Sequence, residues 1–81
     1  MSISQLTTEH IEASINEDLE TLLDLKEEIQ TILQAINLEI NDALTYQNKS
    51  LEKILDKEWL LHFKLLQEVE NSISRVNYII K

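Results

Sequence analysis

The sequence predicts an all-α fold, and three observations carry that prediction: it has no glycine and no proline, its Leu and Ile residues recur at steps of three and four, and only Tyr46, Trp59, Phe63 and Tyr78 are aromatic. Glycine and proline supply the left-handed and fixed-φ positions of tight turns and sheet corners, so a chain with neither reverses direction rarely. Long helices with Leu and Ile interiors are the architecture such a composition builds.

The first element is marked by Ile11, Ile15, Leu19, Leu22, Leu25, Ile29, Ile32, Leu33, Ile36, Ile40, Ala43 and Leu44, which share one helical face. Thr7 or Thr8 is expected to cap its first turn, ahead of Glu9 and Glu12. Ser14 and Glu17 have capping-box spacing and could start a second helix, but Ile11 and Ile15 already belong to the stripe, so the helix is expected to run through Ser14. Residues 1–7 are expected to fray.

The second element repeats the pattern with Leu51, Ile54, Leu55, Trp59, Leu61, Leu65, Leu66, Val69, Ile73, Val76 and Ile80. Between the two lies the one stretch poor in apolar residues, 45–50, where Asn48 can take the left-handed conformation and Asn48 or Ser50 can cap the next helix. The expected organisation is one domain: a helix over about 8–45, a turn at about 46–49, and a helix over about 50–80. Ile36, Ile40, Leu44, Gln47, Leu51 and Leu55 stay nearly in phase across the turn, so one unbroken rod in a parallel coiled coil is the rival to the hairpin.

Charge is unevenly spread, with ten acids against Lys26 alone in residues 1–48 and five acids against six bases in residues 49–81. The net charge of −8 opposes phosphate backbones and anionic lipid surfaces, which argues against nucleic-acid and membrane partners. No apolar run approaches the roughly 20 residues of a membrane span, and residues 1–5 lack a signal-peptide pattern, so an intracellular address, cytoplasmic or nuclear, is expected. Without cysteine there is no disulfide and no thiolate metal site.

Residues 59–66 are apolar nearly all round the helix, and one antiparallel neighbour cannot cover them. Trp59, Leu60, Leu61, Phe63, Leu66, Val69 and Ile73 are therefore the candidate partner-binding residues, with Trp59 and Phe63 as the anchors. Glu58 and His62, four residues apart, both fall toward the apolar seam and form a candidate register-fixing, pH-sensitive pair. His10, flanked by Glu9 and Glu12, is expected to be exposed. Glu17, Glu20, Asp24, Glu27 and Glu28 form an acidic strip, either a solvated face or a docking strip for a basic partner.

Catalytic chemistry finds no support. Exposed carboxylates on a straight helix have no desolvated pocket, the two histidines lie far apart in sequence, and phosphate-cradling loops need glycine. The expectation is thus a long antiparallel, coiled-coil-like helical hairpin that completes a helical bundle by homo- or hetero-oligomerisation, a non-enzymatic scaffold, adaptor or chaperone-like subunit without cofactor, metal or small-molecule substrate. The alternative is an acidic inhibitor that presents its strip in place of nucleic acid to a basic groove; a carboxylate-metal enzyme is a third class, requiring bound metal.

Overall fold

The computed structural model describes the backbone of residues 2–80 and the side chains of residues 2–79. All its regular structure is helical, in three helices: α1 (Ile3–Ile15), α2 (Leu19–Thr45) and α3 (Lys49–Ile80). At 1.5 Å per residue, their 13, 27 and 32 residues make them about 20, 40 and 48 Å long. The long dimension of the molecule, 49 Å, is that of α3. The α2–α3 pair is the hairpin expected from the sequence, and the unbroken rod is not formed.

The helix expected to run through Ser14 does not, which corrects that reading. It stops at Ile15, and α1 folds back onto the hairpin as a third helix. α1 has two apolar sides, and the phase of Ile11 and Ile15 reports only one of them. Ile11 and Ile15 continue the stripe of α2 and are exposed, Ile15 at 75%, whereas Leu6, His10 and Ala13 form the side that is buried.

Both reversals are made without glycine, by the same device. Asn16 and Tyr46 end their helices near the right-handed conformation, Glu17 and Gln47 follow with φ of 55°, and Asp18 and Asn48 open the next helices. The Asp18 amide donates to the Ala13 carbonyl at 2.9 Å and the Glu17 amide to the Ser14 carbonyl at 3.3 Å; Asn48 to Ala43 at 2.8 Å and Gln47 to Leu44 at 3.1 Å repeat the pattern. This paired bonding is the Schellman closure. It satisfies the last carbonyls but holds a residue bearing a Cβ in the left-handed region, at roughly 1 kcal/mol. The expected left-handed Asn48 is thus displaced by one: Gln47 takes that conformation, and Asn48 caps α3, its Oδ1 accepting from the Leu51 amide at 3.2 Å. Asp18 caps α2 likewise, accepting from the Thr21 amide at 3.2 Å and the Thr21 hydroxyl at 2.7 Å.

The cap of α1 is Ser2, in a capping box with Gln5, rather than Thr7 or Thr8. Those threonines lie within the helix, donating back to the Ile3 and Ser4 carbonyls. The box orders residues 2–7, where fraying was expected; Met1 lies outside the described residues, as does the side chain of Ile80.

Two clusters form the interior. The larger joins all three helices through Leu6, Ala13, Leu22, Leu25, Ile29, Leu33, Leu65, Leu66, Val69, Ile73 and Val76. The smaller, Ile36, Ala43 and Leu55, lies between α2 and α3 alone, on the side of the second turn. The difference follows from length, since α1 spans about half of α2 and leaves the remainder of the hairpin two helices thick.

Candidate interaction surface

The belt at residues 59–66 divides between the interior and solvent. Leu65 and Leu66 are buried, Trp59 and Phe63 are half-buried against the core, and Leu60 and Leu61 are exposed, at 47% and 49%. The Trp59 and Phe63 rings stack, with centroids 4.8 Å apart and planes 11° apart, as four-residue helical spacing allows. The Trp59 Nε1 is buried and has no acceptor, a donor left unpaired. Leu66, Val69 and Ile73, expected at a partner interface, lie instead in the chain's own core, because the fold-back of α1 supplies the third helix from within. Leu61, expected in the seam, points outward.

Leu51, Ile54, Glu58, Leu61, Leu65, Glu68 and Ser72 follow one another at alternating steps of three and four and so share one side of α3. Its far half is where α1 sits: His10 Nε2 lies 2.8 Å from Ser72 Oγ, Ser14 Oγ 3.4 Å from the same atom, and the Arg75 guanidinium donates to the Ser14 carbonyl at 3.4 Å and to the Ser14 hydroxyl. Its near half carries Leu51, Ile54 and Leu61, all exposed and without a covering helix among the described residues. Sequence periodicity holds this stripe, but not where the cover stops.

The Glu58 and His62 pair is split. His62 is 6% exposed, and its Nδ1 lies 2.7 Å from the Glu58 backbone carbonyl, while the Glu58 side chain is half exposed with its Oε2 4.0 Å from that nitrogen. The partner of His62 is therefore its own helix backbone first, and Glu58 faces solvent between Ile54 and Leu61. His10, expected outside, is buried between α1 and α3. The spacing of Leu6, His10 and Ala13 is the sequence signal for this side, weaker than that of Ile11 and Ile15.

Burial pushes the His10 imidazole below its ordinary value of 6.5, with Arg75 acting in the same direction and Glu68 against it. Unfolding restores the ordinary value, so the unfolded chain binds more protons over the interval below pH 6.5. The expected result is full stability from His10 above pH 6.5, lost as pH falls through the depressed value. Urea midpoints measured from pH 7.5 to 5 check this, and His10→Gln is expected to flatten the dependence that His10 contributes. The Asp18 carboxyl is held below its ordinary value by its bonds from Thr21, and titrates in a more acidic window.

The acidic strip is also divided. Glu20, Asp24 and Glu27 are exposed on α2, Glu28 is half-buried, and Glu17 is in the turn rather than on the helix. No three His, Cys, Asp or Glu side chains gather as a metal-holding group among the described residues. No helix among them is long and apolar enough to cross a membrane. No family model, curated protein or solved structure matches the chain. The fold itself defines an all-helical unit whose third helix covers half of a hairpin.

Proposed function

We propose that this protein is a non-enzymatic protein–protein interaction subunit, a scaffold, adaptor or chaperone-like member of a helical complex. Its docking surface is the stripe of Leu51, Ile54 and Leu61, and the occupant is an amphipathic helix of another protein laid along α3. The observation that carries this reading is the end of α1: a helix already sits on the same side of α3 at Leu65 and Ser72, and the stripe continues past it uncovered. A second helix entering there extends an existing packing arrangement. Glu58, set between Ile54 and Leu61, calls for a Lys or Arg at the middle of that partner helix. Trp59, Leu60 and Phe63 lie on other sides of α3 and are not part of this surface.

The test places a photo-crosslinking amino acid at position 54, 61 or 71 in the protein within its own cells. Positions 54 and 61 are expected to give one discrete adduct that the exposed position 71 does not. Equal adducts from all three positions, or none from 54 and 61, would overturn the assignment.

The acidic strip supports a second reading, an inhibitor that occupies a basic groove in place of nucleic acid. Glu20, Asp24 and Glu27 are exposed, and none makes an ion pair among the described residues. A partner held that way dissociates steeply with added salt, whereas one held on the apolar stripe does not.

A further inference from the structure

We propose that α1 is an exchangeable arm: the turn at residues 16–18 straightens, α1 and α2 merge into one helix, and α1 fills on a second copy the seat it occupies on its own chain. Four observations converge on this. The turn holds Glu17 at φ of 55°, in the left-handed region, with no glycine to relieve it. Residues 16–18 are short, and a short strained connection favours exchange over closure.

The phase of the sequence is set for the straight form as well. Ile11 and Ile15 lie in line with Leu22 and Ile29 when the helix is continuous, and they are exposed in the folded-back form. The α1 helix thus carries two apolar sides: the Leu6, His10 and Ala13 side meets the seat in both arrangements, and the Ile11 and Ile15 side joins the stripe of α2 only in the straight one. In the closed chain only the Leu6, His10 and Ala13 side is used.

The occupant is fixed by identity. The seat on α2 and α3 is shaped around Leu6 and Ala13 and presents Ser72 to His10 and Arg75 to Ser14. A second copy of this chain offers that same arm. Two long helices running antiparallel, crossing at residues 16–18, place each arm on the other's hairpin. Every arm-to-seat contact is kept, two left-handed residues are released, and helical hydrogen bonds are gained across the former turns.

This exchange uses the arm's seat and not the Leu51, Ile54 and Leu61 stripe, so each proposal can fail alone. The test measures mass in solution from micromolar to millimolar protein for the natural chain, for Glu17→Gly, and for Asn16→Ala combined with Asp18→Ala. Glycine relieves the closed turn, and the alanine pair removes its caps and favours the continuous helix. Glu17→Gly is expected to weaken dimerisation, and the alanine pair to strengthen it, each by on the order of tenfold. Ser14→Cys with Ser72→Cys, introduced into the otherwise cysteine-free chain, then reports which copy holds the arm. After oxidation, the dimer is expected to carry chain-to-chain disulfides and the monomer internal ones.

Unchanged monomeric mass for all three forms up to millimolar protein would overturn the exchange. So would dimers whose disulfides are all internal, which would place the contact elsewhere. The cysteine pair is read in the natural turn, so the result stands even where the alanine pair does not fold.

Discussion

Replacement of Ile29 by alanine is expected to unfold the isolated chain at 25 °C. Ile29 has no exposed surface and belongs to the cluster that joins all three helices, with Leu6 on α1, Leu25 on α2, and Leu66 and Val69 on α3. A buried Ile-to-Ala change costs about 2–5 kcal/mol, made of lost transfer energy and a cavity that close-packed neighbours only partly fill. A single core in a domain this small supplies about 3–5 kcal/mol in total. The loss is therefore comparable with the whole stability, and helix content measured by circular dichroism is expected to collapse. Retention of the natural urea midpoint would mean that the three helices do not meet at Ile29.

Leu6→Asp is expected to act through α1. Leu6 is the one large side chain of α1 with no exposed surface, and an aspartate there must bury a charge with no partner or withdraw the helix into water. Withdrawal costs less, so α1 leaves its seat and exposes the cluster around Leu22, Leu25, Val69 and Val76. Amide exchange measures the result residue by residue. The amides of α1 are expected to exchange at the rate of an open chain, and those of α2 and α3 to lose protection by roughly 100-fold, equivalent to about 3 kcal/mol. Full protection in α1 after this substitution would contradict its place in the core.

The periodicity of the sequence was sufficient for α2, α3 and the turn between them, because long amphipathic stripes interrupted by a polar stretch admit few arrangements. It was insufficient at residues 16–18. There the residues before and after the turn are in phase, and the breaking conformation falls on Glu17, a type that seldom adopts it. A usable signal did exist: Ala13 followed by Glu17 and Asp18 repeats Ala43 followed by Gln47 and Asn48, and a buried alanine stands at the same place before each turn. The first turn decides what covers the residues downstream of it. Without the fold-back of α1, Leu66, Val69 and Ile73 have no third helix in the chain to cover them, which is why the sequence alone points them to a partner interface. His10 was expected outside because its neighbours Glu9 and Glu12 are charged, although charge on adjacent residues says little about the side of a helix 100° away. The surface at Leu51, Ile54 and Leu61 was within the second stripe, but its exposure depends on the length of α1, a tertiary property that no window of the sequence contains.

Trp59 is the only indole in the chain, and it packs against both clusters, at the level where the bundle thins from three helices to two. Its ring stacks on Phe63, and its buried N–H has no acceptor among the described residues. The molecule consequently carries an intrinsic optical gauge at its own junction: light emission from this single chromophore shifts to the red when the two long helices part and water reaches the ring, with no label attached.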